Sequence, residues 1–140
     1  MIQTVTVMDA QGGGLGRMLI EQLKKELPDL KVTAVGTNAM ATSAMLRAGA
    51  DAGATGENAV CVCAAKAELI VAPIGFLLAD AMLGEITERM TVAIGRSSAH
   101  KIIIPVNRCP VTIVGRSDAS TADTIAAAVA AIIKRIQSST

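Results

Sequence analysis

A stretch of β-branched and apolar residues, Ile2 to Met8, ends at Asp9, and Gly12-Gly13-Gly14-Leu15-Gly16 follows almost at once. Glycine loses more conformational freedom on folding than any other residue, so a cluster this dense is costly wherever the backbone does not need it. The need arises where a chain turns sharply out of a strand into a helix and leaves successive N–H groups uncovered. The residues downstream agree with that geometry. Leu19, Ile20, Leu23 and Leu27 recur at helical spacing, Arg17, Glu21, Lys24 and Lys25 fall on the opposite face, and Pro28 lies just past the end. The chain therefore opens as strand, glycine loop, helix.

The alternation continues. A second strand, Lys31 to Val35, runs into Gly36-Thr37-Asn38, where Asn38 is placed to cap a helix bearing Met40, Ala44, Met45 and Leu46 that stops at Gly49. Asp51 to Gly56 reads as a loop of small residues, Glu57 to Ala67 as a helix, and Glu68 to Ala72 as a strand ended by Pro73-Ile74-Gly75. Phe76 to Met82 is expected as a short helix, Thr87 to Ser98 as a longer one capped by Thr87, and Lys101 to Val106 as the fourth strand. Only Asn107 to Pro110 separate it from Val111 to Val114, whereas a parallel crossover needs about a dozen residues, so a fifth strand there is expected to run antiparallel at or near an edge. Ser120, with Asp123 three residues on, opens a last helix with Ile125, Val129, Ile132, Ile133 and Ile136 on one face. The pattern predicts the α/β class: a Rossmann-like three-layer fold with a mostly parallel sheet, strand one interior and a C-terminal antiparallel strand, in one domain over residues 1–140.

Composition narrows the functional classes. At 51% hydrophobic and 18% charged, 140 residues can build a sizeable core, and disorder is excluded. The longest apolar run, Leu69 to Ala79, contains Pro73 and Gly75 and stops at Asp80, short of the roughly 18 residues of a membrane span, so no membrane partner is expected. The N-terminus enters a strand pattern directly, without the features of a secretory signal, and the expected location is cytoplasmic. A net charge of +1 and a single aromatic, Phe76, supply neither the basic footprint nor the stacking surface of nucleic-acid binders. So little charge on apolar-rich helices leaves apolar surface to cover, which points to a homo-oligomer, a homodimer in the simplest case.

In open parallel sheets ligands sit beyond the carboxyl ends of the strands. Here those ends carry Asp9, Gln11, Gly12, Gly13, Gly14, Leu15 and Gly16 after strand one, Gly36, Thr37 and Asn38 after strand two, Pro73 and Gly75 after strand three, and Asn107 after strand four. These are the candidate ligand-binding residues. The glycine cluster departs from common phosphate fingerprints. In G-x-G-x-x-G, Gly12 and Gly14 fit but Arg17 stands at the third glycine, and the Walker pattern fails because Arg17-Met18 replaces its Lys and Ser or Thr. Gly14-Leu15-Gly16-Arg17 resembles the glycine run of short-chain dehydrogenases, yet a chain without tyrosine cannot supply their catalytic residue. Strand two also lacks the terminal acid that grips an adenosine ribose. The expected ligand is a nucleotide or another phosphorylated small molecule, with NAD(P) among the candidates. The alternative is a purely structural turn. Asp9 fits two roles equally, orienting a ribose hydroxyl or catalytic group, or capping N–H groups of its own loop.

Catalytic candidates are sparse. Cys109 beside Arg108 is a candidate for a lowered thiol pKa, and Glu85 and Glu57 sit in polar islands as candidate acid or base, although capping explains both carboxylates as well. Cys61, Cys63, Cys109 and His100 add up to the ligand count of a Cys₃His zinc site, but the C-x-C spacing forms no knuckle and no metal is expected. His100 falls at the amino edge of its strand, away from the crevice, as a surface residue. Three readings follow: a nucleotide-binding protein, a non-catalytic sensor or subunit that binds a protein partner, and a cysteine enzyme using Cys109 with Glu85 or Glu57.

Six ordered segments together resemble the bacterial family called domain of unknown function 3842. They are Asp9-Ala10-Gln11-Gly12-Gly13-Gly14-Leu15-Gly16, Gly36-Thr37-Asn38-Ala39, Gly53-Ala54-Thr55-Gly56-Glu57-Asn58-Ala59, Pro73-Ile74-Gly75, Met82-Leu83-Gly84-Glu85-Ile86-Thr87 and Ile104-Pro105-Val106-Asn107-Arg108-Cys109. The resemblance spans essentially the whole chain, with Ala10 standing where the family pattern has glycine. It implies a bacterial cytoplasmic setting and supports the choice of motif residues, but implies no reaction.

Overall fold

The computed structural model of the chain describes residues 1–106, 110–115 and 118–140. Its elements are β1 (Thr4–Asp9), α1 (Gly14–Glu26), β2 (Lys31–Gly36), α2 (Ala39–Arg47), β3 (Ala52–Thr55), α3 (Glu57–Lys66), β4 (Leu69–Pro73), a 3₁₀ turn (Ile74–Leu77), α4 (Glu88–Arg96), β5 (His100–Ile104) and α5 (Thr121–Ser138). The five strands form one sheet in the order β3-β2-β1-β4-β5, and every pairing is parallel. This is the Rossmann order, with β1 at its centre.

Two apolar clusters sandwich the sheet because side chains alternate along each strand. Val5, Val7, Val32, Ala34, Leu69 and Val71 face α1, α2 and α5 and pack with Leu19, Leu23, Met45, Val129 and Ile132. Met8, Val35, Ile70 and Ala72 face the other way and pack with Val60 and Ala64 of α3, Phe76, Ile86, and Met90 and Ile94 of α4. The result is three layers, as the strand and helix alternation predicts. The predicted caps also form: the Asn38 side chain accepts from Ala41 N–H at 2.9 Å, Thr87 from Met90 N–H at 3.3 Å, and Ser120 from Asp123 N–H at 3.1 Å.

Three expectations are corrected. Residues 51–56 are not merely a loop, since Ala52–Thr55 form the parallel edge strand β3 on β2. Small residues make a poor strand by propensity, but pairing on one side suffices at an edge, and Gly53 lets the Leu46 side chain lie against the strand. Val111 to Val114 form no strand, and among the described residues there is no C-terminal antiparallel strand: residues 111–113 carry no regular structure, and Val111, Ile113 and Val114 are exposed. A four-residue segment between Pro110 and a left-handed Gly115 would have gained one ladder at the sheet edge and buried neither face. Phe76 to Met82 is likewise no helix. After the 3₁₀ turn the chain enters a tight loop with left-handed backbone at Asp80, Met82, Leu83 and Gly84.

The edge strand is tied to the body of the fold by Asp51. Its Oδ2 accepts from Lys24 Nζ and from Val32 N–H, both at 2.8 Å, while Lys24 Nζ also donates to the Leu30 carbonyl at 2.7 Å. The Lys24 hydrogen bond, with the Val32 N–H behind it, holds the Asp51 carboxyl below its usual value of 3.8. A lowered folded-state pKa means that the unfolded chain binds more protons over this range, so the stabilisation is present above the unfolded value and is lost as pH falls through the folded one. We expect Asp51→Asn to lower the melting temperature at pH 7, to speed hydrogen exchange in β3, and to flatten the acid dependence below about pH 4. Unchanged melting and exchange would show that the edge needs no such tie.

Candidate functional site

The carboxyl edge of the sheet is level. Asp9 aligns with Gly36 and Gly36 with Thr55, and Pro73 of β4 flanks the other side of β1. Between β1 and β4, where the chain leaves β1 for the α1 face and β4 for the opposite one, lies the position at which such sheets take ligands.

Asp9 organises this edge. It is 5% exposed, points to the α1 face, and accepts from Ala10 N–H through Oδ1 at 2.8 Å and from Gly16 N–H through Oδ2 at 2.7 Å. Helix α1 has no cap side chain of its own, since the cap position is the left-handed Gly13. The carboxylate at the end of the neighbouring strand does that work on the third amide of the helix. Of the two roles open to Asp9 in the sequence, the geometry forms the cap. Burial pushes the Asp9 carboxyl above 3.8, the Gly16 and Ala10 N–H groups pull it back, and the Glu85 charge raises it further.

The glycines divide into two kinds. Gly13 and Gly16 are buried and packed: a Cβ on Gly13 would come within 2.8 Å of the Ala41 backbone in α2, and one on Gly16 within 2.6 Å of Met45 Sδ. Gly12 and Gly14 are exposed, and a Cβ on either would meet nothing within 4 Å. Gly13 N–H is taken by the Ala10 carbonyl at 3.0 Å and Gly16 N–H by Asp9. Among the described residues no acceptor takes the N–H of Gly12, Gly14 or Leu15. Leu15 rests its side chain against the first apolar cluster.

A second network crosses from β2 and the loop after β4. Gln11, left-handed at φ 52°, donates its N–H to Glu85 Oε2 at 2.8 Å, and Asn38 Nδ2 donates to Glu85 Oε1 at 2.9 Å and to the Gln11 carbonyl at 3.0 Å. Thr37 N–H donates to the Asp9 carbonyl at 3.1 Å, while Thr37 Oγ1 is buried and has no partner among the described residues. Gly36 admits the N-terminal turn of α2, since a Cβ there would collide with Thr42 Oγ1 and with Thr42 N at 2.6 Å. Thr42 Oγ1 in turn meets Thr55 Oγ1 at 2.7 Å. Pro73 and Gly75 are buried beside β1, at the end of β4 and within the 3₁₀ turn.

The structure thus brings Asp9, Gln11, Asn38 and Glu85 together and keeps Glu57 apart. Glu57 pairs with Arg89 Nη1 at 2.6 Å, across α3 and α4. Asn107 and Cys109 lie outside the described residues. Cys61 and Cys63 are free thiols on α3, His100 is exposed at the start of β5, and among the described residues no three His, Cys, Asp or Glu side chains gather as metal ligands do. Sequence reasoning missed Arg89, Thr42 and Thr55, because their partners are distant in the chain and no spacing announces them.

Residues 4–137 match the family described as Domain of unknown function (DUF3842). The chain belongs to that family. No curated protein matches it. Among solved structures, the crystal structure of a dodecameric FMN-dependent UbiX-like decarboxylase from Escherichia coli O157:H7 aligns with a TM-score of 0.55 at 13% identity, over 96% of this chain and 93% of that one. At that identity the likeness is one of fold, and it places this DUF3842 chain among three-layer α/β proteins with a parallel sheet. Among the described residues no helix is long and apolar enough to cross a membrane.

Two tests follow from this geometry. Gly16→Ala should lose about 1–3 kcal/mol of stability through overpacking against Met45, whereas Gly12→Ala and Gly14→Ala should stay within about 0.5 kcal/mol, as measured by urea denaturation. Asp9→Asn keeps the shape but offers one acceptor to two N–H groups, and should lower stability. Because burial raises the folded-state pKa, the folded wild type binds more protons than the unfolded chain between 3.8 and that higher value, and its stability falls as pH rises through this window. Asp9→Asn should lack that slope, and a wild-type stability that instead rises across the window would refute the assignment.

Proposed function

We propose that this protein binds a nucleotide-type or other phosphorylated small molecule at the glycine loop, with its phosphate on the N–H groups of Gly12, Gly14 and Leu15. One observation carries the reading. Gly13 and Gly16 are explained by packing inside the chain, but Gly12 and Gly14 lie exposed, without left-handed backbone and with open space where a side chain would go. Among the described residues nothing requires glycine at those two positions, whereas a ligand pressed against the backbone would.

The remaining features support the same ligand class. Three outward N–H groups at a helix N-terminus suit one phosphate group, and the helix dipole adds about 0.3–1 kcal/mol to their hydrogen bonds. Thr37 Oγ1 is a buried polar atom without a partner at the adjoining strand end, and Asn38, Pro73 and Gly75 border the same crevice. The similar fold named above is that of an FMN-dependent enzyme, so a nucleotide with a single phosphate is the first candidate and NAD(P) the second. Gln11 and Asp9 serve this site by shaping its loop. Asn107, after β5, is the remaining candidate contact.

The reading is one of binding, not of a defined reaction. The carboxylates of Glu57 and Glu85 are engaged by Arg89 and by the Gln11 and Asn38 donors, which leaves a cysteine mechanism on Cys109 without a geometric argument. The second reading, a non-catalytic sensor or subunit, draws on the apolar residues exposed around the same edge, Met40, Leu77 and Leu83. Apolar exposure of this kind also supports a homo-oligomer, and a single-domain chain acting in the cytoplasm completes the proposal.

With no Trp and no Tyr, the protein contributes almost nothing to near-ultraviolet absorbance, so bound chromophores are directly visible. FMN, AMP, NAD and a sugar phosphate should be titrated while the melting temperature is followed. A ligand that binds only the folded state adds about 2.7 kcal/mol at a hundredfold excess over Kd, a rise of several degrees. Gly14→Val should melt like the wild type without ligand and lose at least tenfold in affinity. If no probe at millimolar concentration shifts the melt, the nucleotide reading fails and the partner-binding one takes its place.

A further inference from the structure

Between Phe76 and Ile86, both fully buried in the second apolar cluster, runs a segment with no strand or α-helix. Past Leu78, whose N–H closes the 3₁₀ turn on the Gly75 carbonyl at 3.0 Å, its backbone hydrogen bonds are internal: Asp80 N–H to the Ile86 carbonyl at 2.7 Å, Gly84 N–H to Asp80 at 3.2 Å, Glu85 N–H to Met82 at 3.2 Å and Ile86 N–H to Ala81 at 3.3 Å. Ala81 and Met82 rest on the rim of the cluster, and Leu83 at the tip is fully exposed. Among the described residues, residues 79–85 form hydrogen bonds with the protein outside residues 75–86 through one side chain, the carboxylate of Glu85 on Gln11 N–H and Asn38 Nδ2.

The backbone on both sides of this contact is held in an uncommon state. Gln11, Asp80, Met82 and Leu83 are all left-handed without being glycine, a conformation that costs free energy at each residue and persists only where surrounding contacts fix it. Glu85 also brings a negative charge onto the residue preceding Gly12, close enough to act on Asp9. A phosphate on the neighbouring N–H groups would meet that charge.

We propose that residues 77–85 form a strap latched onto the glycine loop by Glu85, and that an anionic ligand opens it by displacing the Glu85 carboxylate from Gln11 N–H. The inference rests on the phosphate-binding reading above and adds its regulation: the free protein occupies part of its own donor set with an internal carboxylate. Binding transfers Gln11 N–H, and with it the Asn38 amide, from Glu85 to the ligand. The strap, freed of the Glu85 hydrogen bonds and still rooted by Leu78 N–H on the Gly75 carbonyl, then moves about its buried ends at Phe76 and Ile86.

Glu85→Gln tests this in two measurements. Its side chain has one acceptor for two donors, and its own NH₂ confronts N–H groups, so the latch cannot be rebuilt. In the ligand-free protein, hydrogen exchange at the amides of Asp80, Gly84 and Ile86 should quicken at least tenfold while β1 and α1 exchange as in the wild type. In an FMN titration at low salt, Glu85→Gln should bind about three- to tenfold more tightly than the wild type, the range expected from removing one partly screened charge. Unchanged strap exchange, or FMN binding equal to or weaker than that of the wild type, overturns the latch. If neither protein binds FMN, AMP or inorganic phosphate, the phosphate-binding reading fails, and the latch stands or falls on the exchange measurement alone.

Discussion

A carboxylate buried at the end of a central strand must find hydrogen-bond donors, because burying it unpaired would cost several kcal/mol. Asp9 finds two, Ala10 N–H and Gly16 N–H, and the surrounding geometry follows from that choice. Holding Gly16 N–H against the strand end fixes where α1 begins and brings its first turn onto Met45, leaving no room for a Cβ at residue 16. The chain must then reverse between Ala10 and Gly14, which puts Gly13 in the left-handed region against the backbone of α2. One pair of hydrogen bonds thus fixes α1 on the end of β1 and, among the described residues, leaves the N–H groups of Gly12, Gly14 and Leu15 without an acceptor.

Much of this architecture could be read from the sequence because it is written in local chemistry. Apolar spacing marks α1 and α5, β-branched runs mark β1, β2 and β4, and Asn38, Thr87 and Ser120 announce three helix starts that form as expected. What could not be read depends on partners far along the chain. Ala52–Thr55 become a strand only because β2 offers an open edge, and Val111 to Val114 stay irregular despite their β-branched side chains because nothing covers them. The glycine loop stood out in the sequence, but which glycines serve packing and which lie open is decided by Met45 and Ala41 in α2. Glu57 and Glu85 looked alike in their polar islands. One faces Arg89 and the other Gln11, and only the fold separates them.

Charge around the loop bears on what it can hold. Asp9 lies beneath it and Glu85 beside it, while Arg17, the nearest cation in sequence, is paired with Glu21 at 3.1 Å on the outer face of α1. Held by backbone N–H groups and helix dipole alone, a phosphate would bind modestly, and the rest of the affinity would come from the organic part of the ligand lying across the ends of β2 and β4. Such a division suits a nucleotide better than a small inorganic anion. The likeness in fold to a flavin enzyme says nothing of ligand or chemistry, since one α/β scaffold hosts many activities and the site alone decides among them.

The fold spends the N–H groups of Gly13 and Gly16 on itself and, among the described residues, leaves those of Gly12, Gly14 and Leu15 without an acceptor, where the proposed ligand would bind. An amide-resolved NMR titration of the isotopically labelled protein with FMN addresses it most directly. If the ligand binds there, saturable shifts are largest at Gly12, Gly14 and Leu15, with Gly13 and Gly16 moving less and the α5 amides not at all. Saturable shifts centred elsewhere, with the three outward amides unmoved, would contradict it.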